Sequence, residues 1–289
     1  MSGKQLIRKF VRKSLRIRDH ETVADGLNRY HMAFRKKLDK RKVTLAELES
    51  CFREAGVQEG DVLIVHAAWR GCYALQATPE DVIACLLRLI GEHGTLLMPC
   101  YGASSQEFDV KHTPSGAGVL SECFRKYPGV SRSVFPSSAM CGRGEEAEAL
   151  LSGHIESRYA FDERSPYYQA AVARNARILL LGMGKRPHKI SVFHCATYAS
   201  RASSDFYGQV YQPKTAAVID AQGQRRELSI LERAKPYQNN KRMFRTLFRQ
   251  VPHVTVVRHG LTLISFRGRE AYQTAKSFCD GGGKLYLHP

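Results

Sequence analysis

The sequence lacks any stretch of about 20 uninterrupted apolar residues, the length that a helix needs to cross a bilayer. Its N-terminus also lacks an apolar segment followed by a small-residue cleavage site, which is the pattern of a secretory signal. The sequence therefore predicts a cytoplasmic protein. With 289 residues, 43% of them hydrophobic, the chain is long enough to bury one large core.

The eight cysteines form no C-x-x-C pair, and several lie inside apolar periodic segments. A free thiol in such a segment behaves as a small hydrophobic side chain. Neither a disulfide framework nor a zinc site is expected, and we predict no metal cofactor. A reducing compartment fits this use of cysteine best.

Acidic residues are scarce: 27 Asp and Glu stand against 44 Lys and Arg, which gives a formal net charge of +17. Residues 1–43 hold 14 basic and 4 acidic residues, so this segment contributes 14 − 4 = +10. A positive field of this size favours anionic partners and disfavours a polycationic substrate. The alternative, a basic surface that serves solubility, stays open.

Residues 1–43 form a separate N-terminal extension in this interpretation. Leu6, Phe10 and Leu15 are among apolar residues at helical spacing, and basic residues fill the rest of the circumference. This pattern predicts a basic amphipathic helix that could lie on an anionic membrane surface, at the inner face of the membrane. Its apolar stripe could equally pack on the main domain or on a second subunit, which would make the protein a homo-oligomer.

Residues 44–289 show the pattern of one α/β domain. Helices are predicted from Thr44, which with Glu47 makes a capping box, and from Thr78, which precedes a proline. Buried strands are predicted at 61–66, 95–99 and 177–182, and hairpins around Gln222-Gly223 and near Gly260. Short apolar strands separated by helices predict a sheet that is covered on both faces.

Several loops carry polar groups where such a sheet binds ligands, outside the carboxyl ends of its strands. They are His66-Ala-Ala-Trp-Arg-Gly71, the helix start at 112–118 followed by Glu122, 132–139, 163–166, and Gly182-x-Gly184 followed by His194. A histidine such as His194 can act as a general base because its ordinary pKa lies near neutrality. A hydrogen-bonded core histidine is the alternative for both His66 and His194.

These segments together resemble the aminoglycoside 3-N-acetyltransferase family, also called the antibiotic N-acetyltransferase family, from about Thr44 to the C-terminus. Its landmarks appear in order: Gly60-Asp-Val-Leu-Ile-Val-His66, Gly94-Thr-Leu-Leu-Met-Pro99, Thr113-Pro-Ser115, Glu163-x-Ser-Pro166 and Leu180-Leu-Gly182. His194 falls on the histidine of the family's H-L-A-E segment. The resemblance implies a central mixed sheet covered by helices on both faces.

The resemblance also implies transfer of an acetyl group from acetyl-CoA to a sugar-like acceptor. It gives the catalytic roles to His194 as base and Glu163 as helper. The coenzyme A contacts that it implies are His66, Ala67, Ala68, Trp69, Arg70, Thr113 and Ser115. The acceptor contacts that it implies are Glu122, Ser137, Ser138 and Thr197.

This sequence departs from the family pattern at three places. Thr197 stands where the family has a Glu three residues after the histidine, and Phe135-Pro-Ser-Ser-Ala139 replaces the H-P-x-H-S block. Ala67-Ala68 replaces a pair of serines. With the charge of +17, these departures predict an acceptor other than an aminoglycoside: an anionic sugar, nucleotide-linked, lipid-linked or part of a polysaccharide, as in polysaccharide biosynthesis.

Three other hypotheses remain. The chain could be a catalytically degenerate family member that binds coenzyme A or a sugar without turnover, since it has lost the histidines and the Glu. It could act on aminoglycosides after all. Its basic charge would also suit a nucleic-acid-binding protein, but no recognised nucleic-acid motif is present, so nucleic acid is not the expected partner.

Overall fold

The computed structural model describes residues 41–102 and 107–288, together with Phe10, Arg12, Ser14, Leu27 and Tyr30. The predicted amphipathic helix within residues 1–43 therefore lies largely outside the described residues. Within the described part of the chain, no helix has the length and apolarity that crossing a bilayer requires.

A seven-stranded mixed sheet forms the centre of the molecule. Its strands are β1 (Val62–Ala67), β2 (Thr95–Pro99), β4 (Ser131–Arg132), β5 (Met140–Gly144), β6 (Arg177–Leu181), β10 (His253–Arg258) and β11 (Leu261–Arg267). Their order across the sheet is β10-β11-β6-β1-β2-β5-β4. β1 runs parallel to both β2 and β6, whereas β5 and β11 pair antiparallel to these neighbours. The carboxyl ends of β1, β2 and β6 consequently meet at one edge of the sheet.

Helices cover both faces of this sheet, as the sequence predicts. They are α1 (Leu45–Glu54), α2 (Pro79–Ile90), α3 (Val119–Arg125), α4 (Ala147–Ser152), α5 (Pro166–Tyr168), α6 (Val192–Ala199), α7 (Asp205–Gly208), α8 (Lys241–Phe248) and α9 (Gly268–Asp280). Successive residues of β1 point to opposite faces: Leu63 and Val65 pack with α1, α2 and α3, and Ile64 packs with α6, α8 and α9. The two resulting cores confirm the prediction of a mixed α/β sheet between helical layers.

The predicted helix starts are confirmed because their signals are local. Thr44 accepts a hydrogen bond from the amide of Glu47, whose side chain returns to the Thr44 amide, and α1 follows. Thr78 and Asp81 make the same reciprocal pair before α2, which has Pro79 at its first position. Each box satisfies two backbone donors that a helix start otherwise leaves unpaired.

Both predicted hairpins are present as well. β7 (Tyr211–Ile219) and β8 (Arg225–Arg233) flank the turn that contains Gly223, and with β3 (Glu107–Asp109) they form a second sheet. β10 and β11 are joined through His259 and Gly260, both with positive φ, which suits a two-residue hairpin turn. The short strands β9 (Gln238–Asn239) and β12 (Tyr286–Leu287) pair with each other near the C-terminus.

A buried ion cluster ties the strands together at the edge where β1 and β6 begin. The carboxylate of Asp61, 5% exposed, accepts from Arg177 Nε at 2.9 Å and from Arg267 Nη1 at 3.2 Å. Arg177 begins β6 and Arg267 ends β11, so one carboxylate links three adjacent strands. This cluster lies at the sheet edge opposite the carboxyl ends of β1 and β6.

Candidate active site

A cavity of about 210 Å³ opens at the carboxyl ends of β1, β2 and β6. Its walls combine apolar groups, such as Ala68, Phe161 and Met183, with the hydroxyls of Ser137 and Ser138. Ligands of open α/β sheets bind at this edge. Because ligand pockets commonly have about 300–1,000 Å³, this cavity can enclose a small group or one end of a larger ligand.

Two loops shape the cavity by an unusually close backbone approach. A Cβ added at Gly71, after β1, would lie 1.9 Å from the carbonyl oxygen of Gly182, after β6. Gly182 itself has φ +70°, and the Ala68 amide donates to the Leu181 carbonyl at 2.9 Å. Glycine at 71 is thus what lets the two cavity walls meet.

Replacing Gly71 by Ala is expected to push these walls apart and to destabilise the protein by about 1–3 kcal/mol, the usual cost of overpacking. Urea denaturation of the variant measures the loss. Gly153→Ala is the matched control, because the added methyl would meet its nearest neighbour at an ordinary 3.4 Å. Equal stability of the two variants would show that the loop backbones separate without strain.

His66, the penultimate residue of β1, lines the cavity and pairs with a tyrosine. Its Nε2 lies 2.8 Å from the hydroxyl of Tyr167. Burial lowers the pKa of His66 to about 4, so the imidazole is neutral at physiological pH. Tyr167 also lines the cavity, and no sequence pattern indicates its role.

His194, in the first turn of α6, forms a second histidine–tyrosine pair. Its Nδ1 lies 2.6 Å from the hydroxyl of Tyr286, which in turn lies 2.9 Å from Thr197 Oγ1. Thr197 Oγ1 donates to the His194 carbonyl at 2.9 Å and accepts from the Tyr211 hydroxyl at 3.0 Å. Burial, with a further contribution from the positive charge of Arg233, lowers the pKa of His194 to about 3.

Phe161 separates the two pairs. Its ring centre is 5.7 Å from that of Tyr167 and 5.3 Å from that of His194. Phe161 lines the cavity, so His194 is one aromatic ring away from it. Glu163, the predicted helper, is exposed on the same loop, which the buried carboxylate of Asp162 organises by accepting from four backbone amides.

A third histidine lies behind the cavity wall. His154 is fully buried, stacks on Phe135 at 4.6 Å between ring centres, and contacts Ser133 Oγ through Nδ1 at 2.8 Å. Its Nε2 is 3.5 Å from Ser138 Oγ, whose hydroxyl donates to the Ala160 carbonyl. An imidazole from a different segment thus lies against Phe135 and Ser138, the two positions where the family block has histidines.

This burial makes His154 a source of acid sensitivity. Burial lowers its pKa to about 3, below the ordinary value near 6.5. Below pH 6.5, His154 becomes protonated in the unfolded chain but stays neutral in the folded protein. The free energy of unfolding therefore decreases as the pH falls from 6.5 to about 3. We expect His154→Gln to reduce the slope of unfolding free energy against pH by about 1.3 kcal/mol per pH unit around pH 5.

Urea denaturation at pH 7, 6 and 5 measures that slope for the wild type and the variant. His93→Gln is the control, because the His93 side chain is 82% exposed and is solvated in both states. A slope that is the same for His154→Gln as for the wild type would contradict this explanation.

The predicted residues of the 113–122 segment organise their own loop. Thr113 Oγ1 accepts from the Asp109 amide, and Ser115 Oγ accepts from the Ala117 amide. The Glu122 carboxylate accepts from the Ser115 amide at 2.7 Å and from Arg125, which is the main reason that its pKa falls to about 2. These side chains are engaged with neighbouring residues of the chain, and their predicted ligand contacts stay predictions.

The structure brings part of the predicted set together. The cavity walls contain His66, Ala67, Ala68, Ser137 and Ser138. Trp69 and Arg70 begin a 3₁₀ turn beyond the wall, where Trp69 packs on the α1–α2 side of the sheet and Arg70 is exposed. His194 and Thr197 belong to the neighbouring hydroxyl network. Sequence reasoning missed five residues of these networks: His154, Tyr167, Tyr211, Arg233 and Tyr286.

Comparison with known proteins identifies relatives. Residues 64–279 match the model of the family described as aminoglycoside 3-N-acetyltransferase. Aminoglycoside N(3)-acetyltransferase IV from a Salmonella species is 34% identical over 146 residues, which cover 48% of this chain and 53% of the relative. The corresponding enzyme IX from Micromonospora chalcea is 24% identical over 162 residues, with coverage of 48% and 57%. The chain spans about half the length of the curated relatives it matches.

Solved structures share the fold. The apoenzyme of aminoglycoside acetyltransferase AAC(3)-IVa superposes with a TM-score of 0.69 at 23% identity, covering 86% of this chain and 92% of that one. AAC-IIIb in a binary complex with CoASH gives 0.70 at 18% identity, with coverage of 83% and 97%. The YokD protein of Bacillus subtilis gives 0.71 at 19% identity, with coverage of 85% and 96%.

Proposed function

This chain belongs to the aminoglycoside 3-N-acetyltransferase family, and from that premise we propose that it transfers an acetyl group from acetyl-CoA to an amino or hydroxyl group of a sugar-like acceptor. The acceptor that we propose is anionic rather than an aminoglycoside. The observation that carries the proposal is the environment of His194, which lies one ring away from the cavity. The sequence resemblance matches His194 to the family histidine.

The hydrogen bonds around His194 support its role as the base. The Thr197 hydroxyl gives its hydrogen to the His194 carbonyl, so Tyr286 must be the donor in the Tyr286–Thr197 contact. Tyr286 then has no hydrogen left for His194, whose Nδ1–H becomes the donor to Tyr286 Oη. This assignment leaves Nε2 as an acceptor that can take a proton from the acceptor group.

The same network substitutes for the carboxylate that the family has at position 197. Tyr286 and Thr197 are neutral, so they orient the imidazole without stabilising a positive charge on it. Burial, with a contribution from the charge of Arg233, lowers the pKa of His194 to about 3, so the imidazole is neutral at physiological pH. Glu163 remains a candidate helper on the adjacent loop.

The cavity suits the reactive end of the donor. Acetyl-CoA supplies the activated acyl group, and the small, partly apolar cavity bounded by Ala67, Ala68 and Met183 would hold its thioester end. The Ala68 amide already donates to the Leu181 carbonyl. This part of the wall would therefore contact the thioester end through van der Waals packing and would not supply an N–H donor. Lys189 lines the cavity on the loop after β6, where Lys185 and Arg186 are exposed, and these cations would face donor phosphates.

Charge supports an anionic acceptor. The chain carries +17, and a positive field slows the approach of a polycation and speeds that of an anion. Residues 1–43 supply much of this charge, and we propose that they hold the enzyme near an anionic membrane or glycan. Unchanged turnover and unchanged vesicle binding after deletion of residues 1–43 would contradict that role.

Release of free CoA from acetyl-CoA, followed with a thiol reagent, tests the proposed activity. Four acceptors are compared. Glucosamine has no anionic group, glucosamine 6-phosphate and UDP-glucosamine carry phosphate groups, and kanamycin is a polycation. We expect turnover that is faster with the anionic amines than with kanamycin. Binding of acetyl-CoA without CoA release in the presence of any of these acceptors would favour the degenerate binding protein. The replacement of the family Glu by Thr197 makes that protein the second candidate.

A further inference from the structure

Arg233, the last residue of β8, brings a positive charge to the His194 site. Its guanidinium carbon lies 4.9 Å from the centre of the Tyr286 ring, and its Nη1 donates to Asn239 Oδ1. Its charge acts on His194 itself, where it adds to the effect of burial. Arg233 and His194 therefore flank the same tyrosine, and both side chains are partly exposed.

No described carboxylate makes an ion pair with Arg233. Glu232, its neighbour on β8, pairs with Lys214 at 3.1 Å. Successive strand residues point to opposite faces, which keeps that pair away from the Arg233 guanidinium. Asp162, on the loop beside α6, is occupied by four backbone amides.

Neutral aromatic hydroxyls lie close to Arg233. Tyr159 and Tyr286 lie within reach of its charge, and Tyr211 is its cross-strand partner in β7. A partly desolvated guanidinium among hydroxyl groups is a strong receptor for a planar or tetrahedral oxyanion, because it offers two parallel N–H donors with a fixed charge. The same charge beside the proposed base repels a cationic acceptor.

We propose that Arg233 binds an oxyanion of the acceptor, a carboxylate or a phosphate, and thereby selects acidic sugars and holds them beside His194. This inference rests on the proposed function for the role of His194. It narrows the acceptor class to sugars in which an acidic group lies within reach of the group that receives the acetyl. Arg233 is a specificity residue in this view.

Isotopic labelling of the histidines allows the proposal to be tested by NMR, with no need for acetyl transfer to take place. The imidazole resonances of His194 are assigned from their absence in His194→Gln. They are then followed during titration with D-glucuronate, glucose 6-phosphate and uncharged glucose at constant ionic strength. We expect a saturable shift with one or both anionic sugars and none with glucose at the same concentration; the two anions separate a carboxylate site from a phosphate site.

Arg233→Gln is expected to weaken the binding of that anion by about 10-fold to 100-fold, the usual effect of removing a charged hydrogen-bond partner. Arg233→Lys keeps the positive charge but lacks the paired N–H donors of a guanidinium. Its affinity for the anion should lie between those of Arg233→Gln and the wild type. Arg201→Gln is the matched control: Arg201 also stacks on a tyrosine, 3.6 Å from the Tyr198 ring centre, but its charge is not among those that act on His194. Circular dichroism confirms that each variant is folded.

An equal response to glucose and to the anions, no saturable response at all, or equal anion affinity in Arg233→Gln and the wild type would each overturn the proposal. Acetyl-CoA binding, measured in parallel by thermal shift, distinguishes a failure of the Arg233 proposal from a failure of the proposed transferase activity. Acetyl-CoA binding with no role for Arg233 refutes this inference alone. Anion binding through Arg233 without acetyl-CoA binding refutes the proposed transferase instead.

Discussion

Replacement of His194 by Ala is expected to lower kcat by about 10²–10⁴-fold, the usual contribution of a general base. The expectation follows from the proposed tautomer, in which Nδ1–H donates to Tyr286 and Nε2 is left as the acceptor. Because His194 does not line the cavity proposed for the donor, acetyl-CoA affinity should change little. Steady-state kinetics with the best acceptor, together with calorimetric titration of acetyl-CoA, measures the two effects separately.

His66→Gln is the informative companion variant. His66 lines the cavity, so its replacement should weaken acetyl-CoA binding more than it lowers the rate of the bound complex. His93→Ala replaces an exposed imidazole outside the cavity, so its acetyl-CoA affinity and kcat should equal those of the wild type. If His66→Gln abolished turnover while His194→Ala retained it, the base would be His66 and the assignment would be reversed.

Tyr286→Phe tests the network that orients the base. The variant keeps the ring that stacks on His194 and removes the hydroxyl that lies 2.6 Å from Nδ1. A fall in kcat smaller than that of His194→Ala, with unchanged acetyl-CoA affinity, is expected of a residue that positions the base. Unchanged kcat would show that the imidazole is held by packing alone.

Replacement of Asp61 by Asn is expected to destabilise the fold by about 3–5 kcal/mol, the usual cost of breaking a buried ion pair on one side. The amide cannot neutralise Arg177, whose side chain is only 13% exposed, and the charge would stay in the sheet without its partner. The amide keeps only one of the two acceptor oxygens, so the hydrogen bond to either Arg177 or Arg267 is lost as well. Urea denaturation at pH 7 gives the free energy of unfolding for both proteins.

Glu156→Gln provides the matched comparison. Its carboxylate pairs with Arg164, but both side chains are more than 60% exposed, so solvent screens the pair and a much smaller loss is expected. An Asp61→Asn variant as stable as Glu156→Gln would mean that water reaches the cluster. The link between β1, β6 and β11 would then rest on backbone pairing alone.

The fold was predictable from the sequence wherever its signals were local. The capping boxes at Thr44 and Thr78 each use residues three apart, and the β10–β11 turn depends on two adjacent residues. The helices and hairpins that begin at these signals were predicted correctly. The apolar strands likewise carry their own pattern, since burial on both faces leaves few positions for polar side chains.

The site was harder to predict because its contacts are distant in sequence. Tyr286 meets His194 across 92 residues and Tyr167 meets His66 across 101 residues. Tyr286 stands in no motif, and Tyr167 directly follows the Glu163-x-Ser-Pro166 segment, which does not point to His66. His154 reaches Ser138 from a helical turn that follows β5 and α4, so no local pattern pairs them. Glu122 could have been recognised as a structural residue, because Arg125 follows it at the spacing of a helical ion pair.

Thermal unfolding with added acetyl-CoA tests the central claim most directly, run beside free CoA, ATP and a short oligonucleotide at moderate salt. A ligand that binds only the folded protein adds about 2.7 kcal/mol of stability at a hundred times its Kd. The proposed transferase predicts clear stabilisation by acetyl-CoA and CoA, larger than that by ATP or the oligonucleotide. No effect of either CoA species, with a clear shift from the oligonucleotide, would contradict it and would point to a basic protein that binds nucleic acid.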